Sequence, residues 1–235
     1  MKDPFGQAIY DYFLNGKAND LVVNSNYTDD ERIPVSYLFR EFEDMPLIEK
    51  TALAQCQGTI LDVGAGAGCH SMELQKIGLH VTALEKSALS CEVMQKRGIK
   101  SVVNADILEY SSAKFNTILM LMNGFGIAGT TNGLKKLLFH LKNLLQPNGF
   151  ILADSSDISY LFQEEDGSEW IDLANDRYPG EMEYTVSYKH ISASPFKWLF
   201  VDFNKLKKIA SETGYICEKV TDGSHFDYLA KLYLK

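Results

Sequence analysis

From residue 59 onward, short apolar runs alternate with stretches in which apolar side chains recur every third or fourth position. The first pattern reads as strand and the second as helix. It predicts strands at 59–63, 80–84, 101–104, 115–121 and 149–154, with helices at about 68–77, 87–97 and 131–145. The link at 105–113 carries neither period. Gly78 and Gly98 sit where helices must stop, and Gly149 follows Pro147-Asn148 in a turn. Such alternation means an α/β fold, doubly wound, with a mostly parallel sheet covered on both faces.

The rhythm changes at both ends. Tyr184, Val186 and Tyr188 alternate with polar residues as in a half-buried strand, and 196–201 reads as a second strand. Ser192 to Pro195 connects them into a hairpin, an insertion at about 181–201. A helix at 204–213 stops at Gly214. Strands at 215–221 and 226–234 are joined by Asp222-Gly223-Ser224-His225, so they must be antiparallel. Near the start, Phe5, Ile9, Tyr12 and Phe13 recur at helical spacing, 24–30 is polar and loop-like, and 35–54 is again helical. Pro34 suits the approach to that helix, and Pro46 breaks or restarts it. Residues 1–57 therefore read as a helical cap on a main domain at 58–235, with Tyr10, Tyr12 and Phe13 packing the cap's core or lining a ligand site. No Gly-rich or Pro-rich linker separates the two.

Composition narrows the function. A net charge of −8 opposes binding to a phosphate backbone, so nucleic acid is not an expected partner. The longest apolar run, 118–122, is too short for a bilayer, so no membrane association is expected. Cysteines at 56, 69, 91 and 217 form no C-x-x-C pair and the first residues lack a signal-peptide core, which points to a reduced cytoplasmic protein. The five histidines show no metal-ligand spacing, and no metal is expected. Trp170 and Trp198 read as packing residues.

The chemistry concentrates at Ile60-Leu61-Asp62-Val63-Gly64-Ala65-Gly66-Ala67-Gly68. A strand runs into glycines at every second position and then into a helix. That is the ligand-binding corner of an open α/β sheet. Glycine lets the backbone turn sharply and approach a ligand closely. A dinucleotide fingerprint needs its third glycine at 69, where Cys69 stands. Glu85 ends the next strand, placed to accept hydrogen bonds from ribose hydroxyls. Asp106 and Ile107 follow the third strand, one suited to an exocyclic amine and the other to a flat base, although Asp after a strand is also a common turn former. These residues alone admit an adenosyl ligand or a dinucleotide.

Together they resemble the class I S-adenosylmethionine-dependent methyltransferases. Ile60 to Gly68 resembles that family's first motif, and Leu84-Glu85, Ala105-Asp106-Ile107 and Phe115 to Asn123 resemble its next elements in order. The resemblance implies a seven-stranded sheet with an antiparallel last strand, and S-adenosyl-L-methionine as cofactor. It implies that Gly64, Ala65, Gly66 and Gly68 hold the methionine end, with Asp62 orienting the loop. It places Glu85 on the ribose, Lys86 and Ile107 on the adenine faces, Asp106 on the adenine amino group, and the backbone of Leu121 and Met122 near the methionine. Competing readings are an NAD(P)-dependent oxidoreductase, an aminopropyl transferase, or a non-catalytic cofactor-binding module.

The acceptor side is less explicit. No catalytic residue stands out, and none is required, because alignment carries much of a methyl transfer. Met122-Asn123-Gly124-Phe125-Gly126 lacks the Asp/Asn-Pro-Pro-aromatic run that in this family marks planar nitrogen acceptors. A small-molecule acceptor is expected. Gly124 and Gly126 suggest a mobile rim with Phe125 lining it, or simply a turn. Asp154 to Asp157 suits a polar acceptor or a helical cap equally. His190 is the histidine to watch, since its hairpin is long enough to fold over the site.

Overall fold

The computed structural model describes residues 2–25, 30–162 and 177–235. In chain order its elements are α1 (Pro4–Asn15), β1 (Leu21–Ser25), β2 (Glu31–Ile33), α2 (Leu47–Gln55), β3 (Thr59–Val63), α3 (Cys69–Lys76), β4 (His80–Glu85), α4 (Ala88–Lys96) and β5 (Val102–Asn104). Then come β6 (Phe115–Met120), α5 (Thr131–Leu141), β7 (Leu145–Ser156), β8 (Glu181–Tyr188), β9 (Ile191–Ser192), β10 (Phe196–Leu199), α6 (Phe203–Glu212), β11 (Tyr215–Asp222) and β12 (Asp227–Leu234).

Seven strands form the main sheet in the order β11-β12-β7-β6-β3-β4-β5. β3 pairs in parallel with β4 and β6, β4 with β5, and β6 with β7. β12 runs antiparallel to both β7 and β11. This is the doubly wound, mostly parallel sheet with an antiparallel last strand that the pattern and the resemblance predict. Its strands are apolar on both faces because helices cover both. Leu61, Ile118, Met120, Ile151 and Ala153 point into one core with Leu134, Leu137 and Leu206. Their neighbours Ile60, Leu119 and Leu152 point into the other with Ile48, Leu53 and Leu74. Each such buried aliphatic side chain contributes roughly 1.5–3 kcal/mol.

The first 57 residues are not purely helical. α1 and α2 are helices, and Pro46 is the N-cap of α2, but β1 and β2 are strands. β1 lies between β2 and β8, antiparallel to both, and β8 pairs on its other side with β9 and β10. Strands from the first 57 residues and from the hairpin insertion therefore make one second sheet. The three-residue strand β2 and the five-residue β1 are too short for alternation to declare itself. Of the polar stretch 24–30, Asn24 and Ser25 belong to β1, and 26–29 lie outside the described residues. The hairpin turns at Lys189 and His190, with Lys189 at φ 53°, so 192–195 falls within its second arm.

A third core joins this sheet to α1. Ala8, Ile9, Leu21, Val35, Leu38, Val186 and Tyr188 are buried together, with Tyr10, Tyr12 and Phe13 against them. Val93 of α4 and Ala67 of the glycine loop belong to the same cluster. Asp3 caps α1 by accepting from the Gly6 amide at 2.7 Å and also accepts from the Ser87 hydroxyl at 2.6 Å. The N-terminal helix is thus pinned beside the carboxyl ends of β3 and β4. Among the described residues, no helix is long and apolar enough to cross a membrane.

Candidate active site

Val63 ends β3, and the chain turns at once. The amides of Gly64 and Ala65 both donate to the Leu84 carbonyl, at 2.9 and 3.2 Å, which locks the loop against β4. Gly64, Gly66 and Gly68 stand at φ 71°, 57° and 83°. An added Cβ at Gly64 would meet nothing within 4 Å, and at Gly66 only the Gly64 carbonyl at 4.0 Å. At Gly68 it would lie 2.3 Å from Ile99 Cδ1. The first two glycines border open space, and the third is packed. Arg97 donates to the Ala67 carbonyl and holds the far side of the loop.

Glu85 faces this loop. Its Oε2 accepts from the Gly66 amide at 3.0 Å and its Oε1 from the Ser87 amide at 2.9 Å. The carboxylate is fixed yet keeps lone pairs for further donors. The corner therefore offers open backbone at Gly64 and Gly66 beside a fixed carboxylate that can accept hydroxyl donors. Ala65 is buried within the loop. Asp62 is buried beneath it and accepts from the Ser71 hydroxyl at 2.6 Å. Burial raises the Asp62 carboxyl above its ordinary value, with His70 and Ser71 pulling the other way.

The remaining predicted residues divide. Lys86 is exposed beside Glu85. Asp106 is exposed and accepts from the Leu108 amide at 3.0 Å, a turn-forming contact. Ile107 and Leu121 are buried, and Ile107 packs in the main core with Leu84 and Tyr110. Met122 is 37% exposed and stands at φ 65°, followed by Asn123 at φ 55°.

Those two left-handed residues rest on Asp154. Its Oδ2 accepts from the Asn123 amide and its Oδ1 from the Gly124 amide, both at 3.0 Å. The Asn123 side chain donates to the Leu199 carbonyl at 3.1 Å and accepts from the Ser155 hydroxyl at 2.8 Å. Burial pushes the Asp154 carboxyl up to about 6, although both amides pull it down. Of the two readings of Gly124 and Gly126, rim or turn, the segment forms the turn, and it is packed. Phe125 is fully buried, and a Cβ on Gly126 would sit 2.1 Å from the Trp198 indole. Trp198 is a packing residue, as expected, and Trp170 lies outside the described residues.

A cavity of about 590 Å³ opens at this point, lined by Asp154 and Ser156 of β7 and by Met122 just beyond β6. Glu31, Arg32, Tyr37, Ile48 and Glu49 close it from the N-terminal segment, and His225 and Asp227 from the β11–β12 turn. His190 is exposed at the hairpin tip and does not line it. Asp157 caps a short turn by accepting from the Ser159 amide at 2.9 Å.

Behind the cavity lies a buried charged cluster that no sequence motif announces. Arg40 donates to both carboxylate oxygens of Glu49 at 2.6 Å, and His70 Nε2 lies 2.9 Å from Glu49 Oε2. Burial opposes the charge on Glu49, but His70 and Arg40 outweigh it and hold the carboxyl below its ordinary value. Burial likewise opposes the His70 cation, yet Cys69, Glu49 and Asp62 push its pKa up to about 10. The one sequence signal is a glutamate on the apolar face of α2, between Ile48 and Ala52. No group of potential metal ligands occurs among the described residues.

No family model matches the chain, and no curated protein does. Among solved structures, it is similar to an S-adenosylmethionine-dependent methyltransferase from Bacteroides fragilis in complex with S-adenosyl-L-homocysteine. The two are 46% identical with a TM-score of 0.93, over 99% of this chain and 95% of that one. It also matches the CcbJ methyltransferase of Streptomyces caelestis at 14% identity and TM-score 0.62, over 80% of this chain and 94% of that one. The sugar N-methyltransferase KedS8 of Streptoalloteichus aligns at 16% identity and TM-score 0.60, over 90% of this chain and 97% of that one. These last two likenesses speak to the fold alone.

Proposed function

The chain belongs to the class I S-adenosylmethionine-dependent methyltransferases, and from that premise we propose that it methylates a small molecule held in the cavity beside Met122 and Asp154. The cofactor, when bound, supplies a methyl group on a sulfonium and a neutral thioether as leaving group. This chain's residues bind, align and exclude water. In this reading Gly64, Ala65 and Gly66 carry the methionine end, and Gly68 serves it indirectly by packing the loop on Ile99 and Met94. Asp62 and Ser71 stiffen the loop from below. Glu85 takes the ribose hydroxyls, Lys86 and Ile107 flank the adenine, and Asp106 meets its amino group. Leu121 and Met122 offer backbone to the methionine.

The cavity carries the acceptor assignment. It has the volume of a small-molecule site, abuts Met122, and is closed by segments outside the parallel sheet. Residues 1–57 and about 181–201 act in this reading as one cap. The free thiols at Cys56, Cys69, Cys91 and Cys217 support a cytoplasmic setting. Calorimetric titration tests the cofactor: heat with S-adenosylmethionine and S-adenosylhomocysteine is expected, and none with NAD. Heat from NAD alone would overturn the proposal.

A further inference from the structure

Charge is distributed unevenly around the cavity. Glu31, Glu49, Asp154 and Asp227 contribute carboxylates, against Arg32 and His225. Glu49 is already committed to Arg40 and His70. Asp227 turns one oxygen to the His225 amide at 2.8 Å. Asp154 is different. Only 7% exposed, it is held by two backbone amides, and among the described residues no cationic side chain pairs with it. A buried carboxylate without a counter-ion is a costly arrangement. It lines the cavity with Met122, which the proposed function sets beside the methionine.

Resting on the reading above, we infer that the acceptor is an amine, bound as an ammonium against Asp154, and that Asp154 takes its proton. The ammonium supplies the missing counter-ion. The N–H bond breaks toward an Asp154 oxygen and its electron pair stays on nitrogen. Nitrogen then bonds to the methyl carbon while the sulfur–methyl pair remains on sulfur. The products are a methylated ammonium, the neutral thioether and, after Asp154 releases its proton to solvent, the starting carboxylate. A base whose pKa lies near 6 is suited to this at neutral pH. The groups facing Asp154 are Glu49 and Tyr37 from the N-terminal segment, Tyr228, Asp227 and His225 from β12 and its turn, and Glu31 and Arg32 from β2.

The test uses the full chain saturated with S-adenosylhomocysteine and three matched probes: benzylamine, benzyl alcohol and benzoate. Ligand-observed NMR at pH 7.5 reads their binding. Benzylamine should bind at least tenfold more tightly than benzyl alcohol, with benzoate excluded. In Asp154→Asn that preference should fall below twofold. Equal binding of amine and alcohol, a preference for benzoate, or an unchanged preference in Asp154→Asn would overturn the inference. Asp154→Asn must also bind S-adenosylhomocysteine within threefold of wild type. A larger loss would make Asp154 a positioning residue for the Met122 turn and equally sink its role as proton acceptor. Glu31→Gln is a second variant remote from the turn, expected to weaken benzylamine two- to threefold. Failure of wild type to bind S-adenosylhomocysteine at all would instead refute the cofactor reading.

Discussion

Gly64 and Gly68 both stand at positive φ, yet replacing each by alanine should have opposite consequences. A left-handed alanine costs about 1–2 kcal/mol at either site. At Gly64 the new methyl meets nothing, so that strain is the whole stability effect. At Gly68 the methyl would sit 2.3 Å from Ile99 Cδ1 and 3.0 Å from Met94 Cγ, in a buried cluster with Cys91 and Ala83. Forcing those side chains aside adds about 1–3 kcal/mol. Gly68→Ala should therefore lose about 2–5 kcal/mol, and Gly64→Ala about 1–2 kcal/mol. For a chain of this size each kcal/mol moves Tm by about 2–4 °C, so the variants should separate by several degrees in a thermal melt. Calorimetry should show the reverse ranking for S-adenosylhomocysteine. Gly64→Ala should lose tenfold or more in affinity, because its methyl enters the space assigned to the cofactor. The folded fraction of Gly68→Ala should lose less. Equal losses of Tm, or unchanged affinity in Gly64→Ala, would refute the division of the loop into a packing glycine and ligand-facing ones.

Other outcomes follow from the same geometry. Glu85→Ala removes the acceptor for the Gly66 and Ser87 amides; hydrogen bonds to a charge contribute about 1.5–3 kcal/mol, so cofactor affinity should fall by about 10- to 150-fold, and wild-type affinity would end the ribose assignment. Arg40→Leu leaves Glu49 with only His70 in a buried site; a loss of about 3–5 kcal/mol is expected in denaturant titration, and a loss below about 1 kcal/mol would show the pair to be dispensable. His70 is raised to about 10, above its value in the unfolded chain. Its contribution is thus fully present below about pH 6.5 and is lost as pH rises through about 10. Tm should fall between about pH 6.5 and 8.5, before thiols titrate, and His70→Gln should flatten that slope. Met122→Gly relieves a left-handed side chain and should raise stability by about 1 kcal/mol, while a fall in stability would mean that the Met122 side chain packs more than its exposure implies.

The sequence was most legible where backbone and side-chain demands coincide. β3 was bounded to the residue, because its apolar run ends abruptly in glycines. β7 runs longer than its apolar segment at both ends, since Leu145 pairs with Phe115 of β6 and Ser156 with Asp227 of β12. Glu85 could be placed by counting from Gly64, as a βα unit has a near-fixed length. The charged cluster could not. Arg40, Glu49 and His70 lie on three separate elements, and only tertiary packing brings them within hydrogen-bond range. Asp154 showed itself as polar at the end of a strand, but the two left-handed residues it supports are not a property of local sequence. β1 and β2 were missed for a related reason, since their stability comes from β8, far along the chain.

That last pairing sets an order of events during synthesis. β1 and β2 leave the ribosome long before β8 and β10 exist. Until residue 199 has emerged, the N-terminal strands have no permanent sheet to join, and closing so long a loop is slow. The parallel sheet can begin assembling from β3 onward in the meantime. The nascent protein should therefore possess its cofactor corner before the wall formed by Glu31, Arg32 and Tyr37 is in place. Selectivity for the acceptor would be the last property acquired. Loss of β1 and β2 would leave β8 as an open edge, and a chain stalled before β8 would leave β1 as one, an invitation to aggregation.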